Sequence, residues 1–299
     1  MCGIVGIYYK NKDLNKYLGT MLASMLVQMS ERGPDSAGVA VYRNSVDPPS
    51  TKLTLYAADD DYDWHHLRSL LAEAFSANVE IEVRVSHCVV TTTAPLPELR
   101  IWLDSNCTDL RIMSAGSTIE IYKEKGTPRE FVERFALHEF QGSHALGHTR
   151  MATESAITTQ HSHPFSTGLD LCLVHNGSLS NHNRLRERLQ GEGIEFQTDN
   201  DSEVAAGYLM WQLHQGASLE QALTCAIRDL DGFYTFAVGT RKGFAVLRDP
   251  IACKPAVMAE NEDWVAIASE FRAIAQLPGV EQATVWEPAP ATVYSWGEQ

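Results

Sequence analysis

No stretch of this 299-residue sequence approaches the roughly 18 consecutive apolar residues that span a bilayer. The N-terminus, Met1-Cys2-Gly3-Ile4-Val5-Gly6-Ile7, lacks a basic n-region, and its short apolar stretch is followed by Lys10 and Lys12, so it does not read as a secretory signal. The chain is therefore expected in the cytoplasm. No CxxC pair occurs among its cysteines (Cys2, Cys88, Cys107, Cys172, Cys225 and Cys253), which in a reducing compartment read as free thiols. No Cys/His cluster has zinc-finger spacing, and no metal is expected. Basic residues are scarce, 24 Lys and Arg against 38 Asp and Glu, for a formal net charge of −14. Such a charge repels phosphate backbones and anionic headgroups, so neither nucleic acid nor a membrane is an expected partner. Internal repeats and low-complexity linkers are also missing.

What is present is an ordinary globular composition, 44% hydrophobic and 21% charged, on a chain long enough to bury a large core. Residues 2–9 read as a strand that starts at the terminus. Leu14, Leu18, Met21, Leu22, Met25, Leu26 and Met29 make one apolar stripe at helical spacing, which ends at Arg32-Gly33-Pro34. Val39–Tyr42 reads as a second strand. Between about 44 and 140 the character changes: strands are expected at 52–56, 79–90 and within 111–123, and helices near 63–76 and 95–103. The whole chain, 1–299, is thus expected to be one domain with an inserted α/β subdomain at about 44–140, and that insertion carries no recognisable chemistry. Beyond it, strands at 171–175, 233–239, 244–248 and 264–268 and helices at 183–189, 201–214 and 218–230 occur in groups rather than in strict alternation, which favours a layered α+β fold.

Five segments carry chemistry. Cys2 becomes N-terminal if Met1 is removed, and its α-amine, with a pKa near ~7.7–8.0, can then act as base for its own thiol. Glu31-Arg32-Gly33-Pro34-Asp35-Ser36-Ala37-Gly38 reads as a rigid loop, with Arg32 and Asp35 able to tie it by an ion pair, although a structural turn fits equally well. In Gly147-His148-Thr149-Arg150-Met151-Ala152-Thr153, a guanidinium beside a hydroxyl suits a substrate carboxylate. His175-Asn176-Gly177 closes an apolar strand, where a side-chain amide and the next backbone N–H can converge on one oxygen. Thr198-Asp199-Asn200-Asp201-Ser202-Glu203 opens a helix with carboxylates that either cap it or bind an ammonium. A carboxylate site, an ammonium site, a nucleophile and an oxyanion pocket together describe a free amino acid with a cleavable amide: glutamine.

These segments occur in the order found in class II glutamine amidotransferases, which the chain resembles over residues 1–43 and 141–285. Gly232-Phe233-Tyr234-Thr235-Phe236-Ala237, Arg248-Asp249-Pro250 and Ala268-Ser269-Glu270 are similar to the second half of that family. The resemblance implies the four-layer α-β-β-α sandwich of N-terminal-nucleophile hydrolases with a small α/β insertion. It implies Cys2 as nucleophile, Asn176 and Gly177 as oxyanion pair, Arg150 and Thr153 at the glutamine carboxylate, Asp201 at its ammonium, and His163 near the site, with Arg32, Gly33 and Asp35 in the shaping loop. Met151 departs from the Trp or Tyr of most relatives, and Glu154 stands where some carry His. No Ser-Gly-Gly-Leu-Asp-Ser ATP loop and no phosphoribosyl motif follows. The chain most resembles the amidotransferase subunit of glutamate-synthase-like enzymes such as N-methylglutamate synthase. The implied arrangement is a hetero-oligomer in which released ammonia passes to a separate synthase subunit that carries FMN and an iron–sulfur cluster, while this chain holds no cofactor. The alternative is a glutamine-binding regulatory or structural subunit that hydrolyses little.

Overall fold

The seven residues Gly3–Tyr9 (β1) are small, β-branched or aromatic, and nearly all are buried, so the strand has no water-facing side. That pattern belongs to a strand covered on both faces, as in the inner layers of a sandwich. The computed structural model describes residues 2–152 and 157–297 and shows this layering. After β1 come α1 (Leu18–Gln28), β2 (Ser36–Tyr42), β3 (Thr51–Ala57), α2 (Trp64–Phe75), β4 (Val79–Arg84), β5 (His87–Thr92), α3 (Leu96–Asn106), β6 (Leu110–Gly116), β7 (Ile119–Lys125), α4 (Pro128–Arg134) and β8 (His144–Arg150). Then follow β9 (Phe165–Gly168), β10 (Leu171–Leu179), α5 (His182–Gly191), α6 (Asp201–His214), α7 (Leu219–Asp229), β11 (Gly232–Thr240), β12 (Gly243–Arg248), β13 (Val257–Glu260), β14 (Trp264–Ala268), α8 (Phe271–Ile274), β15 (Thr284–Trp286) and β16 (Val293–Gly297).

One antiparallel sheet runs β15-β13-β14-β1-β8-β2-β7 and a second runs β16-β12-β11-β10-β9. Their facing sides meet through Ile4, Leu146, Val174, Ala237, Phe244 and Ile267. Leu18, Leu22, Met25 and Leu26 of α1 cover the outer face of the first sheet. Leu185 of α5, Val204 and Tyr208 of α6 and Leu223 of α7 cover the second. This is the expected α-β-β-α sandwich. The long N-terminal stripe is split: Lys12–Tyr17 is a 3₁₀ turn, and the α-helix starts only at Leu18, leaving Leu14 half-buried. The strand expected at 79–90 is a hairpin, because period-two alternation continues across the two-residue turn Val85-Ser86, where Val85 takes φ +54°.

The stretch expected as an insertion divides. β4-β5-β3-β6 form a separate sheet whose core (Leu53, Leu67, Val90, Leu99) is its own. β7, in contrast, is the edge strand of the large sheet against β2, and Phe131 and Phe135, in and just after α4, pack into the core under α1. Residues 119–140 are thus part of the sandwich.

Asp170 pins the junction. Its carboxylate accepts from the backbone N–H groups of Ser117, Thr118 and Ile119 at 2.8–3.0 Å, and from the Ser117 and Thr118 hydroxyls. Burial alone would raise its pKa, but the backbone donors outweigh burial and hold it below the usual carboxylate range. A depressed folded-state pKa adds stability above the unfolded value near ~3.9 that is lost as pH falls below it. Asp170→Asn is expected to cost about 1–3 kcal/mol in urea unfolding at pH 7. The gap from wild type should narrow below about pH 4, and an equal gap at pH 3 and pH 7 would contradict the ionic origin.

Candidate active site

β1 places Cys2 at the end of the first sheet beside the end of β8, with Gly3 paired to Thr149. Gly3 has no room for a side chain: a Cβ there would stand 2.7 Å from Thr149 Oγ1 and 3.0 Å from Met29 Cβ. Cys2 is half-buried, and its thiol lies 3.9 Å from the Met151 carbonyl. Its own carbonyl accepts from Arg32 Nε at 3.0 Å. Arg32 Nη1 is paired with Glu270 at 2.7 Å, and Glu270 is also held by Arg272 Nε at 2.8 Å. The pairing expected between Arg32 and Asp35 is therefore replaced. Arg32 is drawn to the Cys2 backbone and Glu270, residues far apart in sequence, whereas Asp35 accepts from Ala152 N at 2.8 Å and donates its N–H to the Arg150 carbonyl at 3.1 Å. Between them Gly33 lies against β8, where a Cβ would meet the Thr149 carbonyl carbon at 2.3 Å. Loop 32–35 thus clasps the backbone on both sides of Arg150. Ser269 completes the clasp by bonding the Ile4 N–H through its hydroxyl and the Ile4 carbonyl through its own N–H, both at 2.9 Å.

Arg150 is buried at the end of β8. Burial pulls its pKa down, while the facing Cys2, Asp35 and Asp199 oppose that shift. The guanidinium therefore shares a field with the sulfur. Thr153, expected beside it, lies outside the described residues. Met151 is 39% exposed on this rim.

The second group sits on β10. Asn176 is buried, and its Nδ2 has no hydrogen-bond partner among the described residues. A buried amide donor without an acceptor is costly unless something else fills the role. Gly177 is required by crowding, since a Cβ there would stand 2.1 Å from the Phe233 carbonyl oxygen. Asp201, at the start of α6, accepts from Leu179 N at 2.9 Å and remains about a fifth exposed, so it has acceptor capacity left. The cap of α6 is Asn200, whose Oδ1 accepts from Ser202 N at 2.8 Å; Asp199 is exposed and contacts His161.

Three histidines join the groups. His148, two residues before Arg150, donates from Nε2 to the His175 carbonyl at 3.0 Å, linking the two sheets. His163, preceding a cis proline, stacks on His148 with ring centres 4.0 Å apart. His175 Nδ1 bonds Ser202 Oγ at 2.8 Å. Burial pushes all three towards the neutral form, His148 down to about 3 and His163 well below its ordinary value. His163 thus packs on His148 and, with ring centres 6.4 Å apart, against His175, the residue before Asn176. Ser202 and Glu270 hold parts of this site that motif reading left without a role. Both lie inside quoted motifs, Asp201-Ser202-Glu203 and Ala268-Ser269-Glu270, which gave them a place but no task. Among the described residues no group of three His, Cys, Asp or Glu side chains could hold a metal.

Cys2 thus stands at the head of β1, a central strand of the first sheet of an α-β-β-α sandwich. A family model described as a glutamine amidotransferase domain matches residues 148–276. The glutamine amidotransferase-like protein GlxB of Rhizobium meliloti (strain 1021) is 53% identical over 300 residues, covering 100% of this chain and 99% of that one. Glutamine–fructose-6-phosphate aminotransferase of Xylella fastidiosa (strain 9a5c) is 36% identical over 129 residues, 43% of this chain and 21% of that one. The structure of glutamine phosphoribosylpyrophosphate amidotransferase from B. subtilis superposes with a TM-score of 0.61 at 19% identity, covering 99% of this chain and 49% of that one. This likeness is one of fold, and the chain spans about half the length of that enzyme. The protein belongs to the class II glutamine amidotransferase family and is a glutamine-hydrolysing enzyme. No helix among the described residues is long and apolar enough to cross a membrane.

Proposed function

We propose that this chain is the glutaminase subunit of a larger synthase, with Cys2 attacking the side-chain amide of glutamine. The observation that carries this reading is the Asn176 side-chain amide, a buried N–H donor with no partner among the described residues, on a strand tied by His148 to the Arg150 end of β8. In the proposed reaction the Cys2 amine accepts the thiol proton and the sulfur bonds to the amide carbon. Asn176 Nδ2–H and Gly177 N–H hold the oxyanion, and the amine returns the proton to the leaving ammonia. Water then cleaves the thioester to glutamate. Arg150 grips the α-carboxylate, with Thr153 beside it, and Asp201 the α-ammonium. His163 keeps the Asn176 strand seated rather than transferring protons, since burial holds it neutral.

Ammonia would pass to a separate synthase subunit of glutamate-synthase type, such as N-methylglutamate synthase, where flavin and iron–sulfur chemistry would reside. The near end-to-end match with a relative called amidotransferase-like supports a chain that works as an amidotransferase unit. Glutamate release from glutamine by the purified chain, alone and after co-purification with its partners, tests the activity. Mass spectrometry of the co-purified chains tests the partner, and purification without any flavin- or iron–sulfur-binding chain would refute it.

Arg150→Ala should raise the KM for glutamine about 10–150-fold, the loss of ~1.5–3 kcal/mol of charge-assisted bonding, and change kcat little. A kcat defect with unchanged KM would remove Arg150 from the carboxylate site.

A further inference from the structure

Consecutive residues at the end of β14 hold the first residues of the chain in turn. β14 pairs with β1 as far as Ala268, opposite Val5, and Ser269 takes the next step by bonding both backbone groups of Ile4. Glu270 takes the step after that through Arg32. Arg32 Nε donates to the Cys2 carbonyl at 3.0 Å, and Nη1 donates to Glu270 Oε1 at 2.7 Å. The remaining nitrogen of that guanidinium, Nη2, is buried and has no hydrogen-bond partner among the described residues. Two bonds therefore orient the guanidinium, and one of them ends on the nucleophilic residue.

Glu270 is itself aimed. Its Oε2 lies 2.8 Å from Arg272 Nε, which leaves Oε1 for Arg32, and Arg272 is tied in turn to Glu31 at 2.9 Å. Glu270 occupies the N-cap position of α8 but makes no capping bond there, so helix capping does not account for its carboxylate. Nor is this an ordinary surface pair, because the Arg32 side chain is only 10% exposed, and an enclosed guanidinium needs its counter-charge. We propose that Glu270 is a positioning residue for Cys2: it fixes Arg32, and Arg32 fixes the Cys2 backbone, so that sulfur and amine stay directed at the glutamine amide. The effect on rate rests on the glutaminase reading; the contact itself does not. The ion pairs of Glu270 involve neither Arg150 nor Asp201, so its loss should slow chemistry and leave substrate binding alone.

Steady-state kinetics on the full chain test this. In Glu270→Ala, kcat should fall about 10–100-fold, the scale on which a small displacement of a reacting group acts, with the KM for glutamine within about twofold of wild type. Glu270→Gln, whose amide oxygen can still accept from Arg32, should recover part of the loss. Arg32→Leu should lose at least as much as Glu270→Ala, and adding Glu270→Ala to it should cost less than about twofold more. An unchanged kcat, a rise in KM that matches the fall in kcat, no recovery in Glu270→Gln, or additive losses in the double variant would each overturn the assignment. A crystal structure of Glu270→Ala gives an answer that needs no activity. Arg32 should have left the Cys2 carbonyl, and an Arg32 still bonded there as in wild type overturns the proposal. If the wild-type chain released no glutamate, the glutaminase reading would fail, while that crystal structure would still decide whether Glu270 seats Arg32 on Cys2.

Discussion

Cys2→Ala is expected to reduce glutamate formation to the solvent background, a loss on the order of 10⁴–10⁶ in kcat, the range seen when a covalent nucleophile is removed. The size follows because the substitution removes the sulfur that, in the proposed reaction, forms the thioester; the α-amine is retained in the variant but has no thiol left to deprotonate. The other thiols cannot substitute. Cys88, Cys107 and Cys172 are buried, and burial pushes the Cys88 thiol up to about 12 and the Cys172 thiol to about 11, far from the reactive thiolate. Cys225 sits in α7 on the far side of the second sheet's core, and Cys253 is exposed in the loop after β12. Because Cys2 is half-buried at the strand's outer end, its truncation should leave the fold and glutamine binding intact, and calorimetric binding of glutamine to Cys2→Ala separates lost chemistry from lost structure. Intact mass is a parallel measurement: protein that keeps Met1 has a blocked amine and should be as inactive as the variant. Wild-type turnover by Cys2→Ala would place the nucleophile elsewhere.

Much of this site was legible because its parts are short and local. Met-Cys-Gly, Arg-Gly-Pro-Asp and His-Asn-Gly each combine a chemical group with glycines that crowding demands: Gly3 against Thr149, Gly33 against the carbonyl carbon of Thr149, and Gly177 against Phe233. What was not legible is non-local. The Arg32–Asp35 pairing was the natural inference from residues three apart, yet Arg32 goes to Glu270, 238 positions away, because β14 lies beside β1 and delivers Glu270 to the same edge. The sequence places the end of the insertion near 140, since β7 and α4 carry no chemical motif and only their pairing with β2 and packing under α1 assign them to the sandwich. Burial on both faces also hid strand length. Leu171–Leu179 continues through Asn176-Gly177, whereas polarity and glycine suggested an earlier end. The oxyanion candidates therefore ride on a strand paired with β11 from Cys172 to Leu179, with β9 on its other side only at Leu171 and Leu173, and a hydrogen-bonded strand is the kind of rigid element that preorganised donors need.

That placement makes Asn176 the second decisive position. Nδ2 bonds to no described residue, so Asn176→Ala removes no internal partner of that nitrogen, and most of its effect should fall on the transition state. Loss of one oxyanion donor is expected to lower kcat by about 10²–10³, equivalent to ~2.7–4 kcal/mol, with KM for glutamine changed little. Asn176→Asp sharpens the test. It keeps the side chain's shape but replaces the donating NH₂ with a carboxylate oxygen facing developing negative charge. If the donor acts on the oxyanion, Asp should be worse than Ala, and its activity should improve as pH falls and the carboxylate protonates. If Asn176 only fills space, Asp should outperform Ala. Steady-state kinetics of the two variants between pH 5 and 8 distinguish these outcomes, and a normal kcat in Asn176→Ala would assign the oxyanion to other donors.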